Sequence, residues 1–515
     1  MRLAAIDIGT NSIHLVIVEA ANGTFEVIDR EKEMVKLGAG LFRTRRLSDR
    51  AYEEGLDALR RYCKLAEARD VDEVLAVATS ACREARNGEQ FLDDVLAQTG
   101  VRPRVISGLE EARLIHRAVR HALDLRGQRV LVLDIGGGSV EAIVGDEERA
   151  LARDSMRLGV QRLRDRLGGE PISTKRLHEL RGYVRGVAQD FFETAREHAF
   201  TRVVGTSGTI KTLGEAAHLL AGGAPFRTVN AQRVRLKDLT ELSKRLVALP
   251  EKDRAAVPGL GAARSDAIHL GSVLLVELLE LARATEITLC DASLREGVIL
   301  DYLDRHGTAA FEPAPPLDVR RRSVVELARK YDRDDARERH IAAIALQLFD
   351  QTRSLHGLSD EHRSLLEYAA LLHGVGEQIG FKGRHKHSRY IIRHSQLRGF
   401  NDEETELLAS IVRYHRRKPP DARDKDFRRL FKPQRRLVEV LSALLRLAVA
   451  LDRGRSQVVK RVACRVVGDV LEVTAYGTSD LDLEIWAADE RKRPLGVALG
   501  RRVRIVSGAA PEPEA

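Results

Sequence analysis

Two short segments place an aspartate, glycine and a hydroxyl in the same order: Asp7-Ile-Gly-Thr-Asn-Ser12 and Asp134-Ile-Gly-Gly-Gly-Ser139, each set between two apolar runs. Each puts an Asp at the end of a buried strand, then a tight turn, a hydroxyl residue and a second strand. Glycine lets such a turn take positive φ and approach a ligand closely. Its backbone N–H groups can form an anion-binding nest. A carboxylate repels phosphate, so Asp7 and Asp134 read as holders of a divalent metal, or of a water that faces the phosphate. One such loop reads equally well as an ordinary hairpin; two matched copies favour a phosphate site. Neither is followed by Gly-Lys-Ser/Thr, and neither is a Gly-x-Gly-x-x-Gly opening a helix. That argues against a P-loop ATPase and against a dinucleotide enzyme.

Three further segments join them. Val204-Gly-Thr-Ser-Gly-Thr-Ile210 runs from a strand into a helix, which places Gly205, Ser207, Gly208 and Thr209 at a helix N-terminus, where free N–H groups and the dipole favour anions. Arg83, in 78–87, sits in a first helical turn after a strand. That is a poor place for a cation unless an anion is near, although pairing with a surface carboxylate explains it equally well. In 106–113, Ser107 and Glu110 have the spacing of a capping box, which gives Glu110 a structural task. Glu111 points about 100° away around the helix and is the better candidate for a general base. A solvated surface glutamate is the ordinary alternative.

The elements that must hold these residues alternate. Strands are expected at 3–6, 13–19, 25–30, 74–78 and 104–106, with helices at 49–68 and 89–99. The scheme then restarts, with strands at 129–133, 139–144, 151–158 and 201–204 and helices at 173–198 and 236–249. Such a restart indicates two like-folded halves with a cleft between them. The apolar stretch 270–282 carries Glu277 and Glu280 and reads as a core helix, not a membrane span. A Pro-rich linker occupies 307–316, a nearly all-helical region rich in Arg and His follows to about 452, and 458–506 returns to alternating strand patterns.

The 515 residues are 43% apolar and 31% charged, enough for several soluble globular domains. Aromatics are only 4%, few for a stacking nucleic-acid reader, and the net charge of +9 fits a polyanionic partner or merely a soluble surface. The four cysteines are scattered with no Cys-x-x-Cys pair, and the first residues show no signal-peptide pattern, so a reducing cytoplasm is expected.

Taken together, the motifs resemble the exopolyphosphatase and guanosine-pentaphosphate phosphohydrolase (Ppx/GppA) family of the sugar kinase, Hsp70 and actin superfamily. The resemblance rests on the two Asp-Ile-Gly loops, Thr79-Ser-Ala-Cys-Arg83, Ile106-Ser-Gly-x-Glu-Glu-Ala-Arg113, Glu141, Gly205-Thr-Ser-Gly-Thr209, Pro258-Gly-Leu through Arg264, and Asp291-x-x-Leu-Arg-Glu-Gly297. It implies an α/β fold of two actin-like (ribonuclease H-like) domains with a cleft between them, at 1–124 and 125–306. An HD-like helical domain at 317–457 and a small, β-rich α+β domain at 458–508 would follow. It implies hydrolysis of terminal phosphate with Mg²⁺ or Mn²⁺. Glu111 would be the base that activates water, and Asp7, Asp134 and Glu141 the metal holders. Thr10, Asn11, Ser12, Arg83, Gly136, Gly137, Gly138, Ser139, Ser207, Gly208 and Thr209 would form the phosphate cradle.

In the helical region the positions matching HD metal ligands are His340, His373 with Gly374, and Asp452; Gly374 stands where a ligand Asp is needed, so independent HD catalysis is not expected. Basic charge concentrates at Lys382, Arg384, His385, Lys386, His387, Arg389, Arg416 and Arg417. Folded beside the cleft, these would form a track for a long polyanion, which a compact nucleotide would not need; a solvated basic face or a dimer contact are the alternatives. The expected substrate is therefore inorganic polyphosphate, with pppGpp as the rival in the same cleft. No nucleic acid or membrane partner is expected, and the family implies a homodimer. A kinase or ATP-binding regulator of the superfamily would show an adenosine signature and would leave Glu111 without a role.

Overall fold

The computed structural model describes residues 1–21, 24–167, 172–261, 264–306, 318–331, 336–477 and 479–508. The chain forms two compact units, Met1–Val319 and Arg320–Ala515. The expected linker 307–316 lies outside the described residues.

The first unit holds two mixed sheets. One contains β1 (Arg2–Ile8), β2 (Ile13–Ala21), β3 (Thr24–Glu33), β4 (Glu73–Ala78) and β5 (Arg104–Val105), in the order β3-β2-β1-β4-β5. The other contains β6 (Val130–Ile135), β7 (Val140–Gly145), β8 (Ala150–Met156), β9 (Arg202–Thr206), β10 (Arg233–Arg235) and β11 (Glu286–Leu289), in the order β10-β11-β9-β6-β7-β8. In both, an antiparallel three-strand meander is extended by parallel strands beside its first member: β4 on β1, and β9 on β6. The restart read from the sequence is thus a repeat of topology. β11 on β9 matches β5 on β4, and the second sheet adds only β10; β10 and β11 are short segments that the alternation did not reveal. The apolar stretch near 270–282 is the helix Ile268–Leu281, buried along nearly its whole length. Its Glu277 is paired with Arg185 at 2.5 Å and with Arg181 at 3.2 Å.

Core packing joins the halves. Ala112, Leu114, Ile115, Ala118 and Val119 of the helix Gly108–Ala122 belong to one cluster with Leu3 and Val16 of the first sheet and Val130, Val132 and Ile143 of the second. Polar contacts bridge the halves elsewhere: Lys36 to Asp266 at 2.8 Å, the Phe42 amide to Asp165 at 3.1 Å, and Arg162 to Glu84 at 2.6 Å.

The described residues of the second unit up to Ala450 are mostly helical, and the unit ends in a three-stranded sheet of β12 (Val459–Val467), β13 (Val470–Gly477) and β14 (Arg502–Ser507). Two short helices, Asp482–Asp489 and Arg493–Leu499, interrupt the stretch expected to be strands. They are the crossover that lets β14 lie parallel to β13. Helical and sheet residues share one core, with Val459, Leu471 and Ile505 in the same cluster as Leu441 and Leu445.

Candidate active site

The two loops are the turns of equivalent hairpins. Gly9 N donates to Ser12 O at 3.1 Å and Gly136 N to Ser139 O at 3.0 Å. Their outward carbonyls are committed: Thr10 and Asn11 to Gly38 and Lys36, Gly136 and Gly137 to the helix Val160–Leu167. Among the described residues no backbone acceptor takes the N–H groups of Thr10, Asn11, Gly137 or Gly138, which remain available to an anion.

The reason for glycine differs from the sequence expectation. None of Gly9, Gly136, Gly137 and Gly138 takes positive φ. The requirement is space. A Cβ on Gly137 would stand 2.8 Å from Thr10 Cβ, and one on Gly138 would stand 2.1 Å from Ser80 Oγ. Gly137 leaves room for the first loop, and Gly138 for Ser80 and the Phe42 ring.

Four carboxylates gather behind the loops. Asp7 and Asp134 end their strands, and Glu141 pairs across from Asp134 in the ladder. Glu111 comes from the first turn of the helix Gly108–Ala122 and is buried. Burial raises Asp7 to about 6, Glu141 to about 7 and Asp134 to about 8; the charges of Glu141 and Asp7 push Asp134 further, while Arg295 holds Asp7 back and the Ser155 hydroxyl and Arg83 hold Glu141 back. Burial raises Glu111 well above the usual carboxylate range, and Glu141, Asp7 and Asp134 push it further, while Arg83 opposes them. Glu111 Oε2 is buried without a hydrogen-bond partner, and Arg83 Nη1 stands 3.8 Å from it. Glu141 accepts from Ser155 Oγ at 2.7 Å.

Ser107 caps the helix as expected, accepting from Glu110 N at 3.1 Å. Glu110 does not return the bond. Its carboxylate pairs with Arg113 at 3.1 Å and lies 3.5 Å from Arg104, because those cations offer stronger partners than a backbone amide. The division of labour between Glu110 and Glu111 stands, with half of the capping box.

On the other side the helix Ser207–Leu220 starts directly from β9. Ser207 takes φ +73°, an uncommon conformation for a non-glycine residue. Arg264 covers the helix start, so that a Cβ on Gly208 would lie 2.1 Å from Nη2. Lys32, Lys211 and Arg295 stand near it. Lys32 reaches solvent, yet desolvation of its ammonium and the charges of Arg264, Lys211 and Arg295 push it down to about 8. None of these four cations, nor Lys36, was singled out for a role from sequence. Arg264 and Arg295 lay inside recognised motifs, Lys211 is one turn beyond Ser207, and Lys32 faces the site only through the β2–β3 register, opposite His14.

Among the described residues no three His, Cys, Asp or Glu side chains converge closely enough to hold a metal ion by themselves. Asp7, Asp134 and Glu141 therefore do not form a protein-only cage. The donor set still fits a hard cation: buried carboxylates raise one another, and an orphaned carboxylate oxygen lies among them. Mg²⁺ is commonly held by one or two carboxylates together with water and substrate phosphate.

The second unit sorts the basic residues. Lys382, Lys386 and Arg417 are exposed and Arg416 is half-buried. His385 is buried, Arg384 pairs with Glu377 at 3.0 Å, and Arg389 is shared between Glu406 and Asp426. Burial removes His385, and ion pairing Arg389, from any solvent-lined track. His387 is half-buried, with Nε2 3.3 Å from Lys382 O. Of the positions matching HD ligands, Asp452 is bound by Arg337 at 2.8 Å, and His373 packs edge-on against His415 with its Nδ1 on Ala370 O. Among the described residues no helix is long and apolar enough to cross a membrane.

Two family models match the chain, the Ppx/GppA phosphatase family over 16–306 and domain III of the Ppx/GppA phosphatases over 319–482. A guanosine-5'-triphosphate,3'-diphosphate pyrophosphatase from Aeromonas hydrophila is 31% identical over 411 residues, 79% of each protein. A solved exopolyphosphatase from Cytophaga hutchinsonii is 30% identical, with TM-score 0.56 over 59% of this chain and 98% of its own. The crystal structure of a Ppx/GppA family member from Aquifex aeolicus is 26% identical, with TM-score 0.51 over 60% and 99%. With the repeated hairpins, the buried carboxylates and the cations around them, these matches establish that the chain belongs to the Ppx/GppA phosphatase family.

Proposed function

We propose that this phosphoanhydride hydrolase is an exopolyphosphatase, releasing terminal phosphate from inorganic polyphosphate by attack of water. The observation that carries the reading is the pairing of opposites in one site. Buried Glu111 and Glu141 lie with half-buried Asp7 and Asp134, and Lys32, Lys211, Arg264 and Arg295 stand around the phosphate loops.

Glu111 is the general base. Its raised pKa brings it toward the operating pH, where a base is most effective. Its partnerless Oε2 is open to a water proton. The loop N–H groups of Thr10, Asn11, Gly137 and Gly138, with the start of the helix Ser207–Leu220, orient the phosphoryl oxygens. The cations balance the charge that builds on them. When bound, Mg²⁺ or Mn²⁺ would neutralise phosphoryl oxygens, with Asp7, Asp134 and Glu141 as its holders.

Polyphosphate is favoured because, among the described residues, the pocket lined by Asn11, Lys36, Thr209, Arg264 and Asp266 offers charged and polar groups and no aromatic ring. Exposed Lys382, Lys386 and Arg417, with half-buried Arg416, supply a basic face for a long anion. Cleavage of pppGpp is the second reading, favoured by the Aeromonas hydrophila relative. The division at 1–124, 125–306, 317–457 and 458–508, the HD-like character of the third part, a homodimer and a cytoplasmic location belong to the same proposal.

The test is phosphate release from long polyphosphate, tripolyphosphate, pppGpp and ATP, each with Mg²⁺ and with EDTA. Release from polyphosphate that is fastest of the four and lost in EDTA is expected. Preference for pppGpp would install the second reading, and no release from any substrate would remove both.

A further inference from the structure

The two loop hairpins share a pairing that their sequences conceal. In each, the residue across the ladder from the loop aspartate lies two positions beyond the loop serine: His14 opposite Asp7, Glu141 opposite Asp134. In the first hairpin that residue also bonds the serine, with His14 Nε2 2.7 Å from Ser12 Oγ. In the second, Glu141 accepts from Ser155 Oγ at 2.7 Å.

A carboxylate only accepts, so Glu141 can lend its serine no proton. At His14 the direction is fixed from the far side of the ring. Arg295 Nη1 lies 3.3 Å from His14 Nδ1, and a guanidinium has no acceptor. Nδ1 must therefore accept, which leaves the proton of the neutral imidazole on Nε2. That N–H donates to Ser12 Oγ, and the Ser12 O–H is left to turn outward. Arg295 is itself anchored: Nη2 donates to Ser293 Oγ at 3.1 Å, and that hydroxyl donates to Glu296 Oε2 at 3.0 Å. Burial first, and then the charges of Arg295, Lys32, Arg264 and Lys211, push His14 down to about 2, so the ring stays neutral.

We infer that His14 is a positioning residue: the Arg295–His14 pair turns the Ser12 hydroxyl into a hydrogen-bond donor toward a phosphoryl oxygen of the substrate. The inference rests on Ser12 lying in the phosphate site. It gives the first loop a hydroxyl proton to present beside its free N–H groups.

Imidazole ¹⁵N resonances of the full chain labelled at histidine test the first half without substrate. From about pH 5.5 to 8, the signal lost in His14→Gln is expected to be that of a neutral ring protonated on Nε2. A ring protonated on Nδ1, or on both nitrogens, overturns the inference. This result is independent of the hydrolase reading, which fails separately if the wild type releases no phosphate. Kinetics test the second half. Ser12→Ala and His14→Phe are each expected to lower kcat/KM by roughly 10- to 100-fold, the effect of one hydrogen bond to a charged group. The double variant should lose no more than the worse single, because His14 acts through Ser12. His14→Gln, whose amide can donate near the Nε2 position, should recover to within about fivefold of wild type. Losses that multiply, or a Gln variant as impaired as the Phe variant, overturn the assignment.

Discussion

Arg83 approaches Glu111 without binding it: Nη1 is 3.8 Å from Glu111 Oε2 and donates at 2.6 Å to the carbonyl of Ile106. The guanidinium moderates the charge of the buried carboxylate while leaving its oxygen unbonded. Removing the cation should raise the pKa of Glu111 further, since Arg83 is the group that lowers it. In Arg83→Met the acid limb of the kcat/KM profile should therefore move to higher pH, by about one unit. A limb that stays in place, or moves to lower pH, would separate Glu111 from the base.

Glu111→Gln keeps the shape and removes the proton acceptor. Turnover should fall by about 10²- to 10⁴-fold, while equilibrium binding of polyphosphate stays within a few-fold of wild type. Near-normal release of phosphate would take Glu111 out of the mechanism.

Asp134 carries a sign that thermal unfolding can read. Its carboxyl is raised to about 8 in the folded protein, against about 4 in an unfolded chain. Across that window the folded state holds a proton that the unfolded state has released, so this group's contribution to stability falls as pH rises. Metal-free Asp134→Asn should melt with the wild type near pH 4.5 and on the order of 5 °C above it at pH 8. An Asn variant that melts no higher than wild type at pH 8 would contradict the raised pKa.

The close packing of the loops can be tested at Gly159. A Cβ there would stand 2.3 Å from the backbone of Gly137 and Gly138, where no side chain can swing aside. Gly159→Ala should cost about 1–3 kcal/mol by denaturant unfolding and reduce activity. Gly182, exposed in the helix Thr174–Glu197 with nothing within 4 Å of its added Cβ, is the control. Its Ala variant should be unchanged or more stable by up to about 1 kcal/mol.

The basic face of the second unit predicts a chain-length effect. Replacing Lys382, Lys386 and Arg417 with Ala should raise KM for long polyphosphate severalfold and leave tripolyphosphate nearly unchanged. Added salt should mimic the replacement. Equal effects on both lengths would count against a track.

Much of this site could be read before any coordinates, because its parts are local. The Asp-Gly loops announce themselves by repetition, and the cap at Ser107 decides which of two adjacent glutamates faces inward. What escaped depends on pairings between distant segments. His14 and Lys32 matter through ladder register, and Arg264 and Arg295 through the packing of one half on the other. The glycines suggest positive φ, yet their value is the absence of a side chain where Gly137 meets the first loop and Gly138 meets Ser80. The helices at 482–489 and 493–499 are too short for a periodic signal to separate them from strands.

The shared core beneath Glu111 has a mechanical consequence. The helix that carries this residue is packed into both sheets at once, so both halves fix its position. The Lys36–Asp266 and Glu84–Arg162 pairs cross the same boundary beside the loops, since the Lys36 amide bonds the Asn11 carbonyl and Arg162 the Gly138 carbonyl. A change in how the halves meet would therefore be felt at the phosphate loops and at Glu111 together.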